Sequence, residues 1–127
     1  MLAEYIWISD AKMPLLRSKT RILKGTDPTL ASFPIWSYDG SSTLEAGSTE
    51  NTEFFLHPVR FYPDPLRKPQ DGNPPSFLVL CQTFTFGGVP SLANNRAKAE
   101  QIFKKYATTK PLFGIEQEYF MVPHPYS

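Results

Sequence analysis

Cys81 is the single cysteine among 127 residues, so no internal disulfide is possible, and this usage fits a reducing compartment. Charge of either sign is hardly in excess. Thirteen Lys and Arg face 12 Asp and Glu, a formal net charge of +1, which gives no strong field to draw the chain to nucleic acid or to a membrane surface. No apolar run approaches the roughly 20 residues that a spanning helix needs. Met1-Leu2-Ala3-Glu4 lacks the basic-then-apolar layout of a secretion signal. Together these absences predict a cytoplasmic protein with no nucleic-acid and no membrane partner. With two histidines in the chain, His57 has no second His or Cys nearby to build a ligand set, and it reads as structural.

Proline and aromatic residues are what the chain has in quantity. Thirteen Pro argue for turns and extended connections rather than a helical bundle. Ten Phe, six Tyr and two Trp are enough to fill a core of single-domain size. Ala3 to Ser9 is aromatic and β-branched, the composition of a strand. Leu15 to Leu23 alternates, with Leu16, Ser18, Thr20 and Ile22 on one face and Arg17, Lys19 and Arg21 on the other. The two segments predict a hairpin, its basic row turned to solvent. A contact of that row with a neighbouring subunit is the alternative.

Ile35 to Thr43 reads as a strand end running into Asp39-Gly40-Ser41-Ser42, a tight turn by its side-chain acceptors and its glycine. A turn is a sufficient explanation of Asp39 by itself. Leu44 to Thr52 is small and polar, suited to a mobile loop. Glu53 to Phe61 is a strand interrupted at Pro58, expected at an edge or a bend. Tyr62 to Arg67 is a rigid turn, and Lys68 to Ser76 an exposed insertion. Phe77 to Cys81 is a short continuous apolar run, predicted to be a strand buried on both faces, with Cys81 an inert core thiol. From Ser91 the period changes: Leu92, Ala99, Ile102, Phe103 and Tyr106 fall on one helical stripe, with Ser91 as the expected cap.

Phe113 to Phe120 (Phe-Gly-Ile-Glu-Gln-Glu-Tyr-Phe) reads as a buried strand carrying Glu116 and Glu118 on one face. Their Cα atoms would lie roughly 6–7 Å apart, twice the strand rise. That spacing suits two neighbouring divalent cations, one per carboxylate, because buried charge is costly unless paired or metal-bound. The alternative is an edge strand with both carboxylates in water. Strands, then a helix, then this strand predict an α+β fold with a boundary near Gly87 to Pro90, hence regions 1–90 and 91–127.

Several words of the sequence occur together in one order: Ala3-Glu4-Tyr5-Ile6-Trp7-Ile8, Leu16 to Arg21, Trp36 to Thr43, Asp64 to Lys68, Leu78 to Cys81, Asn94-Asn95-Arg96 and Phe113 to Tyr119. In that order they resemble glutamine synthetase of the eukaryotic type, over nearly the whole chain. The resemblance implies a β-grasp-like amino-terminal domain, followed by the first helix and strand of the catalytic domain. It implies ATP-dependent ligation of ammonia to L-glutamate through a γ-glutamyl phosphate, with Mg²⁺ or Mn²⁺ and a homo-oligomer whose sites lie between adjacent subunits. Glu116 and Glu118 would bind separate metal ions, hard oxygen ligands for hard cations. Asp39 would reach a neighbouring subunit's site to bind and deprotonate ammonium, and Ser42 would help place that loop. No residue is assigned to the nucleotide.

Three positions depart from the resemblance. Leu112 stands where a Trp near the nucleotide is common, Ala93 where a Thr is usual, and Ser18 where a Cys is common. The glutamate site, the phosphate-holding residues and the other metal ligands fall in family sequence beyond Ser127. The 127 residues are therefore expected to be inactive alone. A non-catalytic family member serving as an interaction module is the competing expectation.

Overall fold

The first structural decision is the pairing of β1 (Leu2–Ser9) with β2 (Leu15–Ile22), which form the antiparallel hairpin expected from their alternation. A computed structural model describes residues 1–9, 12–43, 45, 51–67 and 74–122. Most of the expected polar loop at 44–52, most of the 68–76 insertion and two residues of the link between β1 and β2 lie outside these. The remaining strands are β3 (Trp36–Asp39), β4 (Glu53–Pro63) and β5 (Ser76–Thr85), and one helix follows, α1 (Asn95–Lys105). The strands form one mixed sheet in the order β2-β1-β5-β4-β3, with β1 and β5 parallel and the other pairs antiparallel. Sheet plus helix make an α+β fold, as expected.

Register explains which face of the sheet is core. Ala3, Tyr5 and Trp7 stand opposite Arg21, Lys19 and Arg17, and opposed residues of an antiparallel pair project to the same face. Ala3 and Tyr5 are fully buried and Trp7 nearly so. The basic row of β2 therefore lies on the core side and is half-buried, while Leu16 and Ile22 are exposed. This reverses the expectation of a solvated basic row. The aromatic rings beneath it supply the reason, because a cation over an aromatic face is attracted to the ring.

The sheet is strongly curled. In a flat sheet β1 and β3, three spacings apart, would be separated by about 14 Å. Yet the Tyr5 and Trp36 rings meet edge to face at 5.4 Å, and Trp7 and Tyr38 lie 5.0 Å apart. The core sits inside this curl, with Leu56 and Val79 from β4 and β5 completely buried and Phe33 closing it from the loop before β3. The Tyr5 hydroxyl donates to the Pro34 carbonyl at 2.7 Å, so that the one polar atom of a buried ring is satisfied.

Pro58 behaves as its chemistry requires. The ladder of β4 with β5 shifts register between Pro58 and Arg60, and β3 covers β4 only from Glu53 to Leu56. Pro58 thus sits at a bulge, on a stretch paired on one side, where a missing N–H costs no ladder bond. β5 is the central strand and runs on to Thr85. Its burial alternates rather than being complete on both faces: Val79, Cys81 and Thr83 are buried, while Leu78, Leu80 and Gln82 are half-buried.

α1 begins at a different cap from the one expected. Asn94 accepts from the Ala97 amide at 3.1 Å and donates through Nδ2 to the Thr83 carbonyl at 2.9 Å. It caps the helix and ties it to β5. Ser91 is not available, because its hydroxyl is bonded to the Thr83 hydroxyl inside the sheet. Lys104 and Lys105 occupy the last turn, where cations complement the helix dipole. No residue of α1 is buried. Residues 111–122 have no regular structure and are exposed, which corrects the expected buried strand at Phe113 to Phe120. A strand is held by a hydrogen-bonded neighbour and not by its own alternation. Among the described residues, the aromatic contact of the segment is Phe113 against Phe103 of α1, at 5.6 Å.

Candidate active site

The turn after β3 is built around Asp39. Trp36 and Tyr38 point into the curl, so Ser37 and Asp39 take the opposite side by alternation, and Asp39 is exposed. Its Oδ1 accepts from the Ser41 amide at 2.9 Å, and the Ser42 hydroxyl donates to the Asp39 carbonyl at 2.9 Å. Gly40 donates to the Thr52 carbonyl at 2.7 Å. A Cβ on Gly40 would stand 2.4 Å from Cε2 of Phe54, so the turn can press on the aromatic core only because no side chain intervenes. Below it the Tyr38 hydroxyl donates to Glu45 Oε2 at 2.8 Å, and the Thr43 hydroxyl lies 2.6 Å from the same oxygen.

This geometry holds Asp39 ionised. The Ser41 amide first, then the Ser41 and Thr52 side chains, keep its carboxyl below the usual aspartate value, as hydrogen bonds to a charged form do. The site therefore offers a fixed negative charge at the surface. Ser42 is brought to Asp39 by the same turn, its hydroxyl spent on the backbone rather than presented as a nucleophile.

Behind the turn stands a cationic group. Lys19 Nζ lies 3.6 Å from the Trp36 ring centroid and Arg21 Cζ lies 4.8 Å from it. Lys19 also donates to the Ser37 carbonyl. Burial, and then the charge of Arg21, lower the Lys19 pKa. On the far side of the hairpin, Arg67 pairs with both Glu4 and Asp64, the latter at 2.9 Å. Asp64 accepts further from the Leu66 and Arg67 amides at 2.9 and 3.2 Å. Burial pushes the Asp64 carboxyl up, but these donors outweigh it and hold it below the ordinary value. The side chain of Asp64, 2% exposed, is thus a locking group for the turn between β4 and β5. The turn expected from Tyr62 to Arg67 is thus built on an acceptor that its composition alone does not single out. The signal was present in Asp followed by Pro and, three residues on, Arg.

Glu116 and Glu118 both lie on the exposed irregular segment. The structure does not gather them with other ligands: among the described residues no group of three or more His, Cys, Asp or Glu side chains converges to hold a metal ion. Two carboxylates on an extended strip do not by themselves fit a metal centre. His57 packs against Phe84, with ring centroids 4.4 Å apart and the planes tilted by 46°. Cys81 is buried, and burial pushes its thiol up to about 12, in keeping with the inert core thiol expected.

No family model matches the chain. The glutamine synthetase cytosolic isozyme 1-1 of Oryza sativa subsp. japonica is 44% identical over 126 residues, 96% of this chain and 33% of the relative. The glutamine synthetase of Streptomyces viridochromogenes is 41% identical over 118 residues, 92% of this chain and 33% of its own length. That of the lobster Panulirus argus is 41% identical over 120 residues, 94% and 31% respectively. The chain spans about a third of the length of the curated relatives it matches. With identities of this size along nearly all of its residues, the chain belongs to the glutamine synthetase family.

Proposed function

We propose that this chain is the amino-terminal part of a glutamate–ammonia ligase, and that Asp39 is its contribution to the ammonium step. The observation that carries the proposal is an exposed carboxylate kept ionised by the Ser41 amide on a turn that only glycine permits. A fixed anion attracts ammonium and stabilises it against loss into water. The lowered pKa makes Asp39 a better counter-charge than base, so binding is the larger part of its role and proton acceptance the smaller. Ser42 holds the backbone of the turn. In this reading residues 1–90 form a β-grasp-like domain and residues 91–127 begin the catalytic domain. Asp39 then serves the site of an adjacent subunit in a cytoplasmic homo-oligomer. Glu116 and Glu118 would supply two ligands toward Mg²⁺ or Mn²⁺ beside ATP, as part of a set that other sequence completes. In that setting a divalent cation would neutralise charge on the oxygens of the transferred phosphoryl group.

The test joins residues 1–122 to the corresponding remainder of the rice relative and measures glutamine formation with ammonium varied. Asp39→Asn keeps the hydrogen-bonding shape of the turn and removes the charge. The apparent KM for ammonium should rise roughly tenfold or more, because the fixed counter-charge is gone. The KM for ATP and the thermal midpoint should hold. Wild-type ammonium dependence in the variant would reduce Asp39 to a turn residue. The 127-residue chain alone should form no γ-glutamyl hydroxamate above background.

A second reading, a non-catalytic interaction module, draws on the exposed apolar stripe of α1, where Ile102, Phe103 and Tyr106 face solvent. Ligase activity of the joined protein distinguishes the two.

A further inference from the structure

Lys19 and Ser37 belong to β2 and β3, the two outermost strands of the sheet. In a flat sheet four spacings would set these edges about 19 Å apart. In the curled sheet the Lys19 ammonium donates to the Ser37 carbonyl and rests on the Trp36 ring. Both of its contacts fall on β3, a strand of four residues that is paired with β4 alone and ends in Asp39. A short edge strand hydrogen-bonded on one side has few restraints of its own and is the kind of segment that opens locally before the rest of a fold. Trp36 is also held edge-on by Tyr5, so the ring that receives the cation is itself fixed. The closer approach to the ring and the bond to Ser37 belong to Lys19: Arg21 also lies over the ring but farther off, at 4.8 Å, and Arg17 donates instead to the Ser9 hydroxyl at 3.0 Å.

We propose that Lys19 is a positioning residue for Asp39: by joining Ser37 and Trp36 to the opposite edge of the sheet, it fixes where the turn after β3 presents that carboxylate. The functional weight of this rests on Asp39 binding ammonium. The positioning itself does not, because it concerns the order of β3 and can be measured without turnover. A half-buried ammonium over an indole face is also held more strongly than one fully in water. Its loss leaves the Ser37 carbonyl without its charged donor.

The experiment uses the 127-residue chain, isotope-labelled, with Lys19→Met, Lys19→Arg and Lys19→Gln. Amide exchange at Gly40 and Ser41 is read relative to exchange at Tyr5 and Val79, and the Asp39 carboxyl is titrated by its carbon shift. Lys19→Met should accelerate Gly40 and Ser41 roughly tenfold relative to the central strands, as for the loss of a hydrogen bond to a charged group. The Asp39 titration should move up toward the ordinary aspartate value. Lys19→Arg, which keeps the cation and a donor, should recover most of both effects. A ratio unchanged within twofold, or equal acceleration throughout the sheet, overturns the proposal. Should Lys19→Met fail to fold, Lys19→Gln is judged by the same ratio. The two readings fail separately: wild-type ammonium dependence in Asp39→Asn removes the ammonium role, while the exchange ratio alone decides Lys19.

Discussion

The curled sheet and the segment from α1 onward carry apolar stripes of the correct period, yet they end in opposite states. Tyr5 and Leu56 of the sheet are fully buried, whereas Ile102 of α1 is 57% exposed and Ile115 beyond it 93%. Local pattern decided what each stretch could become; a covering partner decided whether it was buried. The sheet contains its own partners, because β1 is flanked by β2 and β5 and roofed by aromatic side chains of β3. α1 is attached to the sheet at its cap, through Asn94 to Thr83, none of its residues is buried, and Phe103 on its apolar face meets Phe113 of the following segment. Stability should therefore be concentrated before residue 90.

The sharpest way to break that comparison is a matched pair of truncations. Leu56→Ala removes a completely buried side chain between strands and should cost about 2–5 kcal/mol, the lost transfer energy plus the cavity left behind. Ile102→Ala removes a side chain that is mostly in water and should change stability by less than about 0.5 kcal/mol. Urea unfolding followed by tryptophan fluorescence reports both, since Trp7 and Trp36 lie in the sheet. Equal losses would show that α1 is buried in solution after all. Gly40→Ala comes next, at about 1–3 kcal/mol, because the added methyl collides with the Phe54 ring and the rigid core must give way. A neutral outcome in the same unfolding assay would mean that the turn is not pressed on the core.

Alkaline pH probes the sheet in a way that the later segment cannot imitate. Burial raises the Cys81 thiol and the Tyr5 hydroxyl to about 12 and moves Tyr38 up still further. For each acid the folded value lies above the unfolded one, so the contribution to stability is complete below the unfolded pKa and is lost as pH climbs toward the folded one. By linkage, stability should fall from about pH 9 upward, by about 1 kcal/mol for Cys81 at pH 10. Cys81→Ala should remove that share of the slope. A flat profile between about pH 9 and 11 would contradict the burial of these groups.

Much of the sheet and the Asp39 turn could be read from the sequence, for one reason: their determinants are local. Alternation gave the hairpin, Asp-Gly-Ser-Ser gave the turn, and Pro58 marked the bulge. What was misread depended on residues distant in sequence. Charge is usually exposed, which points the basic row of β2 to water, but its face is set by register against Tyr5 and Trp7 and by Trp36, 17 positions beyond Lys19. Ser91 has the chemistry of a cap, but Thr83 had already engaged its hydroxyl. Phe113 to Phe120 has the alternation of a strand and, among the described residues, no strand paired with it. Of the site residues, Asp39 and Ser42 meet in the turn as the pattern suggested. Glu116 and Glu118 lie two positions apart in sequence, but among the described residues they gain no third ligand.

The smallest expected effect on stability belongs to the segment after α1, and it is accompanied by a large effect on association. Ile115 and Phe120 are 93% and 97% exposed, so Ile115→Ser with Phe120→Ser removes no buried contact. The unfolding midpoint should stay within about 0.5 kcal/mol of the parent. Clustered exposed apolar side chains do, however, favour contact between molecules. The parent chain should self-associate at micromolar concentration in light scattering, and the double variant should shift toward monomer. The two readouts separate the competing states of this segment. A segment folded back onto the sheet would lose stability on substitution, with association unchanged. A free one loses association with its stability intact, the result that a helix and tail lacking a covering partner require.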